Sequence, residues 1–322
     1  MRILVTGGAG YIGSITVEQL VLAGHEVVVL DSLVTGHRDA VPPGAQLVVG
    51  TTADRDAVIA LLKQHRIEAV LHCAARSLVS ESMRDPALYY AENVVGGLAL
   101  LDALRETGVD RLVFSSTAAV YGAPDEVPIE EDAATRPVNA YGASKLAFED
   151  AMRWYGVYGL RSVSLRYFNV AGASERYGER HHPESHLIPT MLAAAKGGPE
   201  LTVFGNDYPT ADGTAIRDYI HVLDLAEAHM AALELTAVMA RGREVCNLGS
   251  GSGFSVREVL DAAAHVVGRA IPHHIGPRRE GDPAALVASN AKALELLDWM
   301  PERGSLAEMI DSAWRLMGTH PA

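Results

Sequence analysis

Tyr141 and Lys145 stand four residues apart in "YGASK", and the run "FSSTAAVYG", Phe114 to Gly122, closes an apolar stretch with three hydroxyls. Residues at i and i+4 share a helix face, so this phenol and this ammonium point the same way. A phenol of pKa ~10 is a poor base at neutral pH, and a neighbouring cation lowers that value by favouring the phenolate. Eleven tyrosines and four lysines among 322 residues would give about 0.14 such pairs by accident, so the spacing carries information. If "RLVFSS" is a sheet strand, Thr117 lies at its carboxyl end, where open α/β sheets bind ligands, and its hydroxyl can bridge a substrate oxygen and Tyr141. Thr117, Tyr141 and Lys145 then read as a hydride-transfer triad.

Hydride transfer needs an acceptor, and the start of the chain offers it a seat. "GGAGYIG" follows the strand Ile3 to Thr6 and spaces Gly7, Gly10 and Gly13 as GxxGxxG. Such a turn sets backbone N–H groups and a helix N-terminus against a pyrophosphate, where a Cβ would block the approach. A second strand ends at Asp31, 18 residues past Gly13, where a carboxylate can accept both hydroxyls of an adenine ribose and would repel a 2′-phosphate. NAD is therefore expected rather than NADP, with Tyr11, Ile12 and Ser32 beside these motifs in the same cofactor set.

These residues need a scaffold, and the amino-terminal half supplies one. Short β-branched runs ("RILVT", "EVVVLD", "QLVVG", "AVLHCAA", "RLVFSS", "RSVSLRYF") alternate with helical patterns, including a helix from about Asn139 to Tyr158 that stops near Gly159. That rhythm predicts an α/β fold with a Rossmann-type doubly wound parallel sheet. After about Gly172 it changes. Ser174 to His186 reads as a long polar surface loop. "LTVFG", "EVCNLGS" and helices Asp224–Met239 and Val256–Val267 then predict a smaller mixed α/β lobe. The expected division is residues 1–172 for NAD and the triad and 173–322 mainly for substrate, some segments returning to the first domain.

Composition agrees. At 48% hydrophobic and 21% charged the chain can bury a full core, and a net charge of −13 opposes nucleic acid and anionic membranes as partners. The apolar stretches are too short to span a bilayer, and the two distant cysteines, Cys73 and Cys246, suit a reducing compartment, so a cytoplasmic location is expected.

From "MRILVTGGAGYIGS" through "SSTAAVYG", "YGASKL", "LRYFNVAGA", "VFGNDYPTADGTAIRDYIHVLDLA" and "CNLGSGSGFSV" to "RREGDPA", nearly the whole chain resembles the extended short-chain dehydrogenase/reductases and, within them, the UDP-glucose (UDP-galactose) 4-epimerase family. The resemblance implies inversion at C4 of a UDP-hexose. Phenolate Tyr141 would take the 4-hydroxyl proton while hydride passes to tightly held NAD, and the 4-keto sugar would turn over before hydride returns. It places Asn93 and Ser115 with the cofactor and Tyr167 near the nicotinamide. Asn169 is assigned to the substrate diphosphate, and Arg217, Arg279 and Asp282 to the diphosphate clamp and a uridine ribose contact. Phe204 is assigned by its main chain to uracil, and Leu187 follows His186 in the substrate set. It also implies a homodimer through the helices around Leu88–Leu104 and Ala140–Tyr155. In related 4,6-dehydratases an Asp-Glu pair follows the threonine. Ala118 and Ala119 stand there here and can move no proton, which disfavours loss of water.

Departures from the family pattern are Thr51 for an acid at adenine, Arg76 and Ser77 where a lysine lies near the pyrophosphate, Thr117 for serine, and His186 for an asparagine on the diphosphate. Leu286 replaces a tyrosine that closes the pocket in some members, which leaves the N-acetylhexosamine pair open as substrates. Another UDP-sugar (a pentose, a uronate or a biosynthetic-cluster sugar) and a non-catalytic NAD sensor are the alternatives. His181, His182 and His186 lie close in sequence, yet no helix fixes them and no carboxylate set completes them, so no metal is expected. The face Leu225, Ala228, Ala232, Leu235 reads as core packing.

Overall fold

The computed structural model describes residues 1–279 and 282–319. Chain order runs β1 (Arg2–Thr6), α1 (Tyr11–Leu22), β2 (Glu26–Asp31), β3 (Ala45–Val49), α2 (Arg55–Gln64), β4 (Ala69–His72), α3 (Val79–Arg84) and α4 (Pro86–Tyr89). A single π-helical turn, Tyr90–Val95, leads into α5 (Gly96–Thr107), then β5 (Arg111–Ser115), α6 (Ala140–Tyr155), β6 (Arg161–Tyr167) and β7 (Asn169–Ala171). The remainder is α7 (Leu187–Ala195), β8 (Leu201–Phe204), β9 (Ile216–Arg217), β10 (Tyr219–His221), α8 (Val222–Val238), β11 (Gly242–Leu248), β12 (Phe254–Ser255), α9 (Val256–Val267), β13 (His273–Gly276), β14 (Ala285–Leu286), α10 (Ala291–Leu297) and α11 (Leu306–Thr319).

Seven parallel strands in the order β3-β2-β1-β4-β5-β6-β11 form the central sheet. Successive side chains point to opposite faces and both faces are buried, so its strands read as unbroken apolar runs. Ile3 and Val5 face one core with α1 and α8, while Leu4 faces the other with α2, α5 and α6. Strand order reverses between β1 and β4, which opens a crevice at their carboxyl ends. The α6 helix starts where expected because Asn139 caps it, its Oδ1 accepting from the Gly142 N–H at 2.8 Å.

The smaller lobe packs α7, α9 and α11 around β8, with Met191, Leu192, Val259 and Ile310 at its centre. Two segments read as parts of that lobe return to the first domain, one as a strand of the central sheet and one as a helix packed on it. "EVCNLGS" is β11, in register with β6, and the helix assigned to Asp224–Met239 is α8, two residues earlier at its start. Its Leu225, Ala228 and Ala232 are core residues over the sheet, with Leu235 packed beside them. A parallel strand buried on both faces and a short lobe strand look alike in sequence; only pairing separates them. No helix among the described residues is long and apolar enough to cross a membrane.

Candidate active site

A cavity of about 620 Å³ runs along the carboxyl edge of the sheet, from the turn after β1 to the small lobe. At one end the glycine-rich turn is tightly made. Gly7 sits at φ +73°, and a Cβ on it would come 2.5 Å from the Ala74 nitrogen; one on Gly13 would come 2.1 Å from the Gly7 carbonyl oxygen. Gly10 is different. Its nearest obstruction is that same oxygen at 3.4 Å, so its open side faces the cavity at the N-terminus of α1. Asp31 ends β2 in the cavity wall, each carboxylate oxygen holding one backbone N–H, from Ala9 at 2.9 Å and Leu33 at 2.8 Å. Each oxygen keeps a second lone pair for a ribose hydroxyl. Tyr11, Ile12, Ser32 and Thr51 line the same end. An open backbone cradle at a helix N-terminus with a carboxylate beside it fits a dinucleotide.

The triad converges in the middle. Thr117 follows β5, and Tyr141 and Lys145 project from the first turns of α6; all three line the cavity, as do Ala118 and Ala119. Lys145 donates to the Ser115 carbonyl at 2.7 Å, and its Nζ lies 5.9 Å from the Tyr141 ring centre. Burial pushes the Tyr141 phenol up to about 12, opposed by the Thr117 hydroxyl, and burial brings Lys145 down to about 8, opposed by Cys73 and Glu149. In the chain alone, with no cofactor charge beside them, loss of water on burial sets the direction for both groups.

Below the triad lies a buried polar layer. Glu149, fully buried, accepts from Arg166 at 2.7 Å, from Arg243 at 3.1 Å and from the Ser116 hydroxyl at 2.5 Å. Tyr121 donates to Asn247 at 2.7 Å and accepts from Arg166. Ser115 has a supporting place too. His229 Nδ1 donates to the Leu225 carbonyl at 2.8 Å, which leaves Nε2 to accept from the Ser115 hydroxyl at 2.8 Å. Burial lowers His229 to about 4, so it is neutral there. A lone histidine in a run of alanines and leucines gave no sign of this.

Other assigned residues divide. Tyr167, Asn169, Arg217, Arg279, Asp282 and Leu286 line the cavity; Asn93, Ser115, Leu187 and Phe204 are not part of its wall. Asn93 instead ties the loop after β4 to α6, exchanging hydrogen bonds with the Arg76 backbone and donating to Ser144 at 3.0 Å. Asn169 donates to the Asp218 carbonyl at 2.9 Å, which leaves its own oxygen free to accept. Arg217 pairs with Asp282 at 2.5 Å, and Arg279 lies 4.1 Å over the Phe204 ring. Asp218, fully buried, holds the Ser250 and Gly251 N–H groups and so shapes the turn after β11.

His186 lines the cavity, but its Nδ1 contacts Glu179 and Glu184, each at 2.8 Å, and His181 Nδ1 meets the same Glu179 at 2.8 Å. The expected diphosphate contact is therefore limited to the far side of the ring. The loop itself also differs from expectation: Glu179, His181 and His186 form part of the cavity wall, and two carboxylates complete the histidine group that lacked them on paper. The pattern Glu-x-His, repeated five residues apart in "ERHHPESH", was the available signal.

The profile of the NAD dependent epimerase/dehydratase family matches residues 3–249. The chain belongs to that family. Among family members, UDP-glucose 4-epimerase of Corynebacterium glutamicum is 51% identical over 316 residues, covering 98% of this chain and 95% of that protein. The crystal structure of UDP-glucose 4-epimerase from Brucella ovis in complex with NAD superimposes with a TM-score of 0.95 at 44% identity, covering 98% of each chain. A UDP-glucose-4-epimerase of Stenotrophomonas maltophila with bound NAD and formylated UDP-arabinopyranose gives 0.95 at 40% identity, covering 99% of this chain and 98% of that one.

Proposed function

We propose that this family member is an NAD-dependent UDP-hexose 4-epimerase that interconverts UDP-galactose and UDP-glucose. The observation that carries the reading is the meeting of Thr117, Tyr141 and Lys145 in one cavity with the dinucleotide cradle on one side and Arg217 and Arg279 on the other. Bound NAD supplies reversible two-electron oxidation at the sugar C4. The chain supplies the rest. Tyr141 takes the 4-hydroxyl proton and gives it back, and Thr117 bridges that oxygen and the phenol. Lys145, held on the Ser115 carbonyl, is placed to meet the nicotinamide ribose. Guanidinium forks suit the diphosphate, which anchors the sugar while its other face turns toward C4 chemistry. Reaching it requires Arg217 to share or release Asp282. Ala118 and Ala119 offer no acid or base, so water is retained in the sugar.

The test is incubation of purified protein, with no added cofactor, with UDP-galactose and separately with UDP-N-acetylgalactosamine. UDP-galactose converts to UDP-glucose, and Tyr141→Phe slows it by about 10²–10⁴. Leu286 lines the cavity and packs on the cluster that holds Ala118 and Phe168, a position from which a small side chain also admits the N-acetyl sugar, and Leu286→Tyr reduces that activity selectively. Because the Stenotrophomonas neighbour holds a UDP-linked pentose, UDP-arabinose belongs in the same assay. Turnover of pentose alone would displace the hexose reading, and no turnover of any UDP-sugar would leave a sensor. The outward apolar residues Val95 and Leu98 on the π turn and α5, with Trp154 on α6, support a homodimer. Unpaired Cys73 and Cys246 support a cytoplasmic location.

A further inference from the structure

The loop between β7 and α7 brings Glu179, His181, Glu184 and His186 together so that one ligand atom from each lies within 4.8 Å of every other. Tetrahedral zinc with bonds of about 2.0–2.1 Å needs ligand atoms about 3.3 Å apart. The separations here run from contacts of 2.8 Å up to 4.8 Å, so the shortest pairs spread and the longest close to reach that figure. The two imidazole rings converge, their centres 5.4 Å apart and tilted by 42°. Charge points the same way. Glu179 has its side chain only 8% exposed, and among the described residues neither it nor Glu184 has a lysine or arginine partner. The loop's own arginine, Arg180, turns away to Asp39 at 2.8 Å. Two carboxylates balanced by imidazoles alone match the charge of a divalent ion.

We infer that this His₂Glu₂ cluster is a zinc site. Borderline nitrogen and hard oxygen donors suit zinc over magnesium, which asks for an octahedral oxygen shell. Four protein ligands leave no open position, so the ion is structural and takes no part in the C4 chemistry. It clips residues 179–186 into the cavity wall near Tyr11, whose hydroxyl donates to the Gly172 carbonyl at 2.6 Å just before the loop begins. The site is independent of the sugar that the enzyme turns over.

Untagged protein, stripped with chelator and dialysed, is titrated with ZnCl₂ or MgCl₂ in competition with a chromophoric chelator and then tested by mass spectrometry of bound metal. Zinc binds at about one equivalent per chain, magnesium does not, and zinc raises the thermal midpoint. His181→Ala or Glu184→Gln loses both the equivalent and the thermal gain. Each variant removes one ligand of the same site, and far-UV circular dichroism shows which variant is folded, so one folded variant suffices. Absence of stoichiometric zinc uptake by the wild type, or uptake undiminished in the folded variants, overturns the site.

Discussion

Tyr141 has to ionise where water has been taken away, and burial alone sets it against that task. Its phenol is pushed up to about 12, so the cofactor-free protein keeps it protonated across the neutral range. A positive charge brought beside it stabilises the phenolate and moves the titration to lower pH. In ultraviolet difference spectra of wild type against Tyr141→Phe, NAD added to stripped protein therefore shifts the phenolate curve downward. Lys145→Met moves it partly back. A curve that ignores NAD would remove the electrostatic account of activation. The residue types of this triad were legible in sequence because two rare events coincided, a scarce lysine and a helical spacing. The pKa values were not, since they depend on how much solvent β5 and α6 exclude, which no local pattern states.

Helix α6 carries Tyr141 and Lys145 and, one turn further along the same face, the buried carboxylate of Glu149. Glu149 binds Arg166 on β6 and Arg243 on β11, so it fastens the helix to two strands. Removing one member of a buried ion pair strands its partner and costs about 3–5 kcal/mol. Glu149→Ala is expected to lose that much in urea unfolding; a loss below about 1 kcal/mol would show that water or repacking replaces the pair. The strands of the first half were readable to within a few residues, as EVVVLD for Glu26–Asp31 shows, because burial on both faces leaves unbroken apolar runs. Pairing partners were hidden. Nothing in Gly242–Leu248 says that it adds to β6, and nothing in Asn93 says that it braces a loop instead of facing the cavity. The Glu-x-His repeat was legible, but only the fold of the loop turns it into four converging ligands.

At the scale of the whole molecule, the surface repeats a helix theme that the interior does not need. Val95, Leu98 and Trp154 are exposed on the side of α5 and α6 that faces away from the sheet, with Leu98 at 36% and Trp154 at 69% exposure. Pairing of two such faces would bury them in a four-helix contact. Light scattering after size exclusion is expected to give about twice 34.3 kDa, and Leu98→Arg to shift the chain toward a monomer. A wild-type monomer would place these side chains among ordinary exposed apolar residues. The last strand of the central sheet also has a history in time. β6 ends at Tyr167 and β11 begins at Gly242, 75 positions later. At about 5–20 residues per second a ribosome takes roughly 4–15 s to deliver it, during which β6 presents an unpaired edge to every other nascent chain nearby. Yield in a cell should therefore respond to translation speed across residues 168–241, and to chaperones that shield that edge, before it responds to the stability of the finished protein.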